Sequence, residues 1–411
     1  MPTNTLATPS WVVKDVLRGY NNEIKFVSNL NRTYDDSYMV SGAKVGYTVS
    51  ARLPQRFTVT DGQAFQPQAL FDATVPITLT NQKNVGFGYS TASQTMELQE
   101  VRDRYVQPAA EALANACDVL AYNAVYRDIY SSVGVPGTTP ATNLLYLQAG
   151  VKLTDLAVTQ SGRKAVLDPL AMVTLVNANL ASFNPSSKIS GAFNNGLFAN
   201  DVLGISEWYT EPNKVIHTTG TFTASTPTVN GAGQTGSSLI TQAWASGATT
   251  LKKGDIFTVA GVNSVNPLSY TSTGRLQQFV VTADISDTTG AMTITIAPPI
   301  ITSGQLQTVD ASPATSAAIT VWSANPSGGT LATTSSPQSI VFHPDFAAFV
   351  MADLEEPGAG ATSKTVRSKQ FGVAIRWVQQ YQIGTDQNPS RLDILIGAAT
   401  LQARLAVRVV G

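Results

Sequence analysis

The clearest periodic pattern in the chain is helical, with apolar residues at intervals of three and four between positions 95 and 132. Leu113, Cys117 and Leu120 lie on one stripe of this helix, and neighbouring residues widen the apolar face. Pro108 is expected either to kink the helix or to occupy the first turn of a second one. A helix of about 25 residues is roughly 37 Å long. The segment is therefore predicted to be a spine that joins two regions.

Residues 42–90 follow a two-residue period and are rich in Thr and Val, with Gly and Pro between the runs. Asp61-Gly62 separates two extended runs, which is a hairpin signal. Pro76 cannot donate a ladder hydrogen bond, so its strand is expected at a sheet edge. The segment is predicted to be a long β-hairpin or extended loop with no core of its own. The residues before it are predicted to be an arm that packs on something else.

Residues 141–221 mix helical and extended patterns. A strand is predicted over 164–167, followed by a helix that includes 168–176. A segment rich in Asn, Ser and Gly predicts a loop over 183–198. Further strands are expected at 203–208 and 215–217.

Residues 337–411 return to this mixed pattern. His343-Pro344-Asp345 predicts a capping turn before a helix that starts at 346–349. Three further features are expected downstream: strands between 369 and 381, a pair of strands or helices over 393–410, and Arg404 and Arg408 at polar positions.

Between the two mixed segments, residues 222–336 are rich in Thr, Ser and Gly and poor in charge. Short apolar runs at regular spacing predict the strands of a β-barrel or sandwich. Because mixed segments flank it on both sides, this all-β block is predicted to be an insertion with its own core. Alternation places the following residues inside that core: Ile256, Phe257, Val259, Phe279, Val281, Ile294 and Ile296.

Charged residues make up 13% of the 411 residues, about half of the roughly 25% that is usual in soluble domains. With 26 Lys and Arg against 27 Asp and Glu, the net charge is −1. Such a surface favours burial against other subunits, and the lack of a basic stripe argues against a dedicated nucleic-acid binder. No run of eighteen apolar residues and no signal-peptide pattern is found, so no membrane association is predicted.

The sequence offers little material for catalysis. Cys117 is its one cysteine, and His217 and His343 are its two histidines, which excludes an internal disulfide framework and leaves almost nothing for a zinc site. Neither a nucleophile-elbow motif nor a phosphate-binding loop is found. We therefore predict no catalytic residue, no cofactor and no metal, and a protein that is not an enzyme.

Three weaker motifs each have a plainer alternative that we favour. The acidic residues Asp353, Glu355 and Glu356 suggest a calcium site or, more simply, a solvated loop. Glu207 and Glu211 suggest a sugar site or, more simply, one exposed and one hydrogen-bonded carboxylate. The letters G-x-G-x-x-G at 231–236 suggest a dinucleotide site, but they open no helix.

Taken in order, these parts resemble the layout of tailed-phage major capsid proteins with the HK97-type fold. The insertion resembles the extra β-barrel domain of the P22-type coat protein. Two stretches carry that likeness in their residues: Leu251–Val262 as a turn followed by a strand, and Thr293–Pro299 as the closing strand. The resemblance implies an α+β fold class, with a long spine helix, an extended β-hairpin loop, a mixed α/β axial domain and an inserted all-β barrel domain.

The resemblance also implies a division of the chain. Its parts are an N-terminal arm (1–41), an extended loop (42–90), a spine helix of the peripheral domain (91–140), the first part of the axial domain (141–221), the inserted β-barrel (222–336), and a return segment of the axial and peripheral domains (337–411).

The function implied by the resemblance is that of a major capsid protein. Copies of it would assemble as hexamers and pentamers into the icosahedral shell of a tailed bacteriophage, in the host cytoplasm, and remain in the virion. The implied partners are itself, a scaffolding protein and a portal protein, with a decoration protein as a further candidate. Packaged double-stranded DNA would be enclosed without sequence-specific binding.

Charged residues of the extended loop and of the return segment are the candidates for contact between subunits: Arg52, Arg56, Asp61, Lys83, Arg367 and Lys369. The alternative function is a β-rich surface adhesin or carbohydrate-binding protein, with Trp208, Trp244 and Trp322 as platforms for stacking sugars.

Overall fold

The computed structural model describes residues 25–31, 48–59, 62–63, 65, 67–70, 73–90, 107–180, 201–213, 215–221, 226–322, 333–358, 361–368 and 373–410. The chain forms two compact units. The first comprises Met1–Leu53, Thr74–Ala124 and Ala347–Leu401, and the second comprises Pro54–Ala73, Val125–Phe346 and Gln402–Gly411.

The described residues are rich in sheet and contain few helices. The α-helices are α1 (Gln107–Val125), α2 (Asn143–Asp155) and α3 (Pro169–Leu180). Short 3-10 helices lie at Val27–Asn29, Tyr126–Asp128, Pro344–Phe346 and Ala403–Leu405.

The strands, in chain order, are β1 (Thr48–Arg52), β2 (Thr74–Thr78), β3 (Asn81–Ser90), β4 (Ser132–Gly134), β5 (Lys164–Leu167), β6 (Glu207–Thr210), β7 (Ile216–Thr218), β8 (Thr228–Val229), β9 (Gly236–Gln242), β10 (Thr250–Leu251), β11 (Ile256–Val265), β12 (Ser272–Val281), β13 (Ile285–Ser286), β14 (Ala291–Ile300), β15 (Ile319–Val321), β16 (Ser335–Phe342), β17 (Ala347–Ala352), β18 (Thr362–Ser368), β19 (Val373–Gln379), β20 (Gln387–Thr400) and β21 (Ala406–Val410).

In the first unit, strands β1 and β2 pair antiparallel as predicted, but their segment is not free of a core. Val49 and Ile77 face each other in the register and are buried with Ala348 and Val350. Strand β3 pairs with β20 along its whole length, in a sheet whose remaining order is β17-β20-β19-β18. Residues 48–52 and 74–79 therefore bury side chains in a core that they share with β17 and not in one of their own, whereas no residue of β3 is buried.

The prediction of a helix that starts at 346–349 is wrong, because those residues belong to the 3-10 helix Pro344–Phe346 and to strand β17. Strand β17 pairs with β20, and its residues Ala347 to Met351 are all buried. A short apolar run that is buried on both faces has no alternation to distinguish it from a helix.

Helix α1 buries a face rich in small residues, including Ala110, Ala114, Cys117 and Ala121, together with Leu113. Leu113 and Cys117 of the predicted stripe are buried, but Leu120 is only half-buried, and Ala121 takes its place on the buried face. Val119 is exposed. The predicted helix extended to residue 132, but it ends at Val125 and is followed by a 3-10 turn.

Buried Asp118 of α1 holds the described part of the N-terminal arm. Its carboxylate accepts hydrogen bonds from the backbone N–H groups of Lys25, Phe26 and Val27, at 2.8, 3.2 and 2.9 Å. The rings of Phe26 and Tyr122 meet edge to face, with their centroids 4.5 Å apart. The arm therefore packs on its own chain in this region.

The second unit contains a mixed sheet of linear order β4-β21-β16-β5-β6, with β7 also paired to β16. Strand β5 has the predicted bounds, and α3 covers the helix predicted over 168–176. The β4–β21 and β5–β6 pairs are parallel. Residues 141–221 thus have the expected mixed α/β pattern where they are described.

A second six-stranded sheet of order β15-β11-β12-β14-β9-β8 lies within residues 222–336. Side chains along β14 alternate, with Met292, Ile294 and Ile296 buried. Six of the seven predicted core residues lie in one buried cluster, and Ile256 is buried outside it.

The two end strands of this sheet, β15 and β8, are also joined by backbone hydrogen bonds. Val229 N–H donates to the Ala317 carbonyl at 3.0 Å, and Ser316 N–H donates to the Val229 carbonyl at 2.9 Å. Ile319 N–H donates to the Pro227 carbonyl at 2.9 Å.

Candidate subunit-contact surfaces and the anchoring of the insertion

The structure places the predicted contact residues on separate elements. Arg52 ends β1 and Lys83 lies in β3, and both side chains are exposed. Arg367 lies in β18, in register with Ala374 of β19. Arg56 is half-buried in the second unit. Burial raises the pKa of the Tyr130 hydroxyl, and the positive charge of Arg56 partly opposes that increase. Asp61 and Lys369 lie outside the described residues.

The segment 54–73, which we call the apolar loop, exposes large apolar side chains. Val59 and Phe65 are 95% and 90% exposed, and Phe57 and Leu70 are also largely exposed. Four large exposed apolar side chains within residues 57–70 are more than the singly scattered ones that need no explanation. This segment is therefore a candidate surface for contact with another subunit.

The apolar loop is also tethered to the insertion of its own chain. Gln305 Nε2 donates to Gln68 Oε1 at 2.8 Å, and the Tyr270 hydroxyl donates to the Phe57 carbonyl at 3.5 Å. Gln68 in turn accepts from Thr58 N–H at 2.9 Å. The extended loop therefore also contacts its own chain at this point.

The insertion is anchored to the mixed sheet by two sets of buried polar contacts, and the first is centred on Gln278. Its Oε1 accepts from Ser132 N–H at 2.8 Å, and its Nε2 donates to the Ser132 carbonyl at 3.1 Å. Lys152 Nζ donates to the same carbonyl at 2.7 Å and to Gln278 Oε1. Burial and nearby Arg275 lower the pKa of Lys152 to about 8.

The second set of contacts joins His217 of β7 to Asp255, which precedes β11. His217 Nε2 lies 2.9 Å from Asp255 Oδ1, and both side chains are buried. Asp255 Oδ2 accepts from Gly220 N–H at 3.0 Å and from Lys252 N–H at 2.9 Å. The carboxylate therefore fixes the turn Lys252–Asp255 against the strand that precedes the insertion.

Burial lowers the pKa of His217, and the charges of Arg408 and Arg127 act in the same direction, whereas the bond to Asp255 opposes them. The ring is therefore neutral at pH 7. Because the carboxylate can only accept, His217 Nε2 carries the proton, and Nδ1 accepts from the Tyr126 hydroxyl at 3.4 Å. Arg127 Nε donates to the Tyr126 oxygen at 3.1 Å and completes the chain of bonds.

Arg408 completes the anchoring from the mixed sheet. It was expected at a polar position, but it is 2% exposed, and its Nη2 donates to the Gly254 carbonyl at 2.7 Å. The local pattern of β21 predicts a solvated arginine. It cannot report the Gly254 carbonyl, which lies 154 residues away in the sequence. The Lys252–Asp255 turn was recognised from the sequence, but its anchoring role was not.

The carboxylates of Glu207 and Glu211 are both hydrogen-bonded, so the expectation that one of them is simply exposed does not hold. Glu207 pairs with Lys164 at 2.7 Å, and this bond and one from Tyr209 lower its pKa. Glu211 is buried and accepts from Asn213 N–H at 3.1 Å. Among the residues that the structure describes, no group of three His, Cys, Asp or Glu side chains is placed to hold a metal ion.

The described residues thus show a tightly anchored second sheet and an exposed apolar loop. Comparison with known families identifies the protein. The family described as "P22 coat protein - gene protein 5" matches residues 1–411 of the sequence. The chain belongs to the P22 coat protein family. The coat protein is therefore a structural component of a phage capsid shell, located in the virion and assembling with itself, and it is not an enzyme.

Solved structures similar to the coat protein include other phage capsids. A chain from Mycobacterium phage Che8 is 14% identical to this one, with a TM-score of 0.43. The match covers 94% of this chain and 90% of the Che8 chain. The capsid of Ralstonia phage GP4 is 9% identical, with a TM-score of 0.44, covering 95% and 90%. The CUS-3 coat protein I-domain is 33% identical, with a TM-score of 0.19, covering 24% and 96%. None of the curated proteins matches the chain.

The adhesin alternative is not favoured. Trp208 and Trp244, two of the three proposed stacking platforms, are buried and have no face open to a sugar. None of the helices in the described ranges has the length and apolar character needed to cross a membrane.

Proposed function

We propose that the coat protein assembles as hexamers and pentamers into a closed icosahedral shell around the double-stranded DNA genome of a tailed phage. The match of the P22 coat protein family to residues 1–411 carries this proposal. The charge-poor composition agrees with it, because surface that is poorly solvated in a monomer is buried in a shell. Sedimentation of the expressed protein through a density gradient tests it. Shell-sized particles support the proposal, and monomers alone contradict it.

The same proposal gives the chain an HK97-type arrangement in which residues 222–336 close into a barrel. The hydrogen bonds of Val229 and Ile319, which join the end strands, support closure, since a sheet that returns to its first strand has no open edge. Hydrogen exchange on the full chain tests it. In a closed barrel the Val229 and Ile319 amides exchange as slowly as that of Val280 in the middle of the sheet. Fast exchange at both contradicts closure.

For contact between subunits we propose the apolar loop together with Arg52, Arg56, Asp61, Lys83, Arg367 and Lys369. The exposure of Arg52, Lys83 and the loop's apolar side chains supports this assignment. Lys83→Glu reverses a charge on an exposed strand position, so it is expected to lower particle yield without changing the unfolding midpoint. Unchanged yield for Lys83→Glu and Arg52→Glu alike contradicts the assignment.

As further partners we propose a scaffolding protein, a portal protein and, on the outer surface, a decoration protein, with assembly in the host cytoplasm. DNA is enclosed without sequence-specific contact, which the net charge of −1 supports. Co-expression with the scaffolding gene of the same phage tests the first partner. Uniform shells are expected with it and irregular particles without it, and identical particles in both cases contradict its role.

A further inference from the structure

An apolar groove of about 500 Å³ lies in the second unit, beside strand β4. One wall is β4 with Val135, which follows it, another is α2, and Trp322 of the insertion contributes a third. The apolar face continues along α2, where Leu144, Leu147 and Val151 follow one another at helical spacing and are all exposed. We call this surface, lined by β4, α2 and Trp322, the α2 groove.

The charged groups of the α2 groove already have partners within the chain. Lys152 Nζ donates to the Ser132 carbonyl at 2.7 Å, and Arg275 pairs with Asp155 at 2.6 Å. The groove therefore requires no opposite charge from whatever occupies it. An uncharged, apolar element fits this lining.

Helix α3 is such an element. Its twelve residues include no charged side chain. Ala171 and Leu175 are buried on one side, whereas Leu170 and Val173 are 54% and 61% exposed on the other. A helix that is apolar on both sides is typical of one that is covered on both. The exposed side of α3 thus lacks a cover among the described residues.

The strand beside the α2 groove and the strand that follows α3 in the chain are the two end strands of the same linear strand order. The linear order β4-β21-β16-β5-β6 begins with the strand that forms a wall of the groove. It ends with β6, which α3 connects to β5. A head-to-tail ring requires two different, complementary surfaces on one subunit.

We propose that Leu170 and Val173 of α3 dock in the α2 groove of the next coat protein in a capsomer. This inference rests on the proposed function, since it names the surfaces by which the subunits of a ring meet. The occupant is a second copy of this chain, because the coat protein assembles with itself and one chain carries both the uncharged groove and the uncharged helix.

Disulfide crosslinking of assembled shells tests the docking without interference from the native thiol, because Cys117 is the single cysteine and is buried. Val151→Cys places a thiol on the groove and Val173→Cys places one on α3. After mild oxidation, a chain with both substitutions is expected to give a ladder of covalent oligomers. A mixture of the two single variants is expected to give dimers, and either single variant alone only monomers.

Three results overturn the proposal. Dimers from Val173→Cys alone mean that α3 meets its own symmetry mate. Crosslinking of Val151→Cys to Phe65→Cys, but not to Val173→Cys, assigns the groove to the apolar loop. Intact shells in which neither pair forms crosslinks show that neither α3 nor the apolar loop occupies the α2 groove.

Electron microscopy of the same samples separates this test from that of the proposed function. Shells without the expected crosslinks contradict only the docking, whereas unsubstituted chains that form no shells contradict the function. Where the double variant alone forms no shells, the two single variants are co-assembled with each other in equal amounts. Dimers are then still expected, and their absence overturns the docking.

Discussion

The side-chain amide of Gln278 pairs with both backbone groups of Ser132, as a neighbouring strand would. Ser132 is the first residue of β4, which is an end strand of the mixed sheet. Gln278 belongs to the sheet of the insertion. One residue therefore satisfies part of an open strand edge and ties the two sheets together. Lys152 donates to both residues and strengthens the same point.

Gln278→Ala is expected to destabilise the folded coat protein by about 1–3 kcal/mol, because the Ser132 N–H is left buried without its acceptor. Urea unfolding of the purified subunit measures this loss. Gln160→Ala is the matched control, since Gln160 is exposed and its replacement is expected to stay within about 0.5 kcal/mol. Equal stability of the two variants contradicts the anchoring role of Gln278.

Neutral His217 is expected to make folding depend on pH below about 6.5, the ordinary pKa of histidine. Burial holds the folded-state pKa below that value, so the unfolded chain takes up a proton that the folded chain does not. The stability from the neutral ring is complete above about pH 6.5 and is lost as the pH falls through the folded-state pKa. Urea midpoints measured from about pH 8 down to pH 5 report this loss.

His217→Gln is expected to flatten that pH profile while lowering stability at neutral pH, since the bond to Asp255 is weakened. His343→Gln serves as the control and is expected to keep the original slope, because His343 is half-exposed. A profile for His217→Gln as steep as that of the unsubstituted protein shows that another group is responsible.

Gly254→Ala is expected to lower the unfolding temperature through two effects. Gly254 has φ +102°, and a Cβ there would lie 3.0 Å from His217 Cε1. The left-handed conformation alone costs a residue with a side chain about 1–2 kcal/mol. Gly274→Ala isolates that part, because Gly274 has φ +69° with nothing within 4 Å. If a thermal scan shows that the unfolding temperature falls as far for Gly274→Ala as for Gly254→Ala, the predicted clash with His217 is contradicted.

Leu113→Ala in α1 is expected to cost about 2–5 kcal/mol through lost burial and the cavity left behind. Leu113 is 1% exposed, whereas Val119 of the same helix is exposed, so Val119→Ala is the control and is expected to be nearly neutral. Leu120→Ala should fall between them, because Leu120 is half-buried. The free energy of unfolding measures all three, and a neutral Leu113→Ala contradicts this assignment of the core.

Local patterns predicted those elements whose burial follows a simple period. Strand β5 has the predicted bounds and β14 covers its predicted run, because alternating or wholly apolar runs of this length fit a sheet. The run 347–351 was wrongly predicted to be helical. Its conformation is decided by pairing with β20, which leaves no signal in the local sequence.

The buried polar contacts were beyond the reach of local patterns. Arg408 and Gly254 are 154 residues apart in the sequence, and Gln278 and Ser132 are 146 apart. Composition and spacing report how often polar residues occur, but not which of them meet after folding. Local patterns likewise do not show that the large apolar side chains of the apolar loop stay exposed, without a cover among the residues that the structure describes.

Electron microscopy of particles from cells that express this chain shows directly whether it builds a closed shell. We expect closed icosahedral shells in which hexamers and pentamers of the coat protein are resolved. A preparation that contains only monodisperse, correctly folded monomers, with its scaffolding protein present, would contradict this expectation.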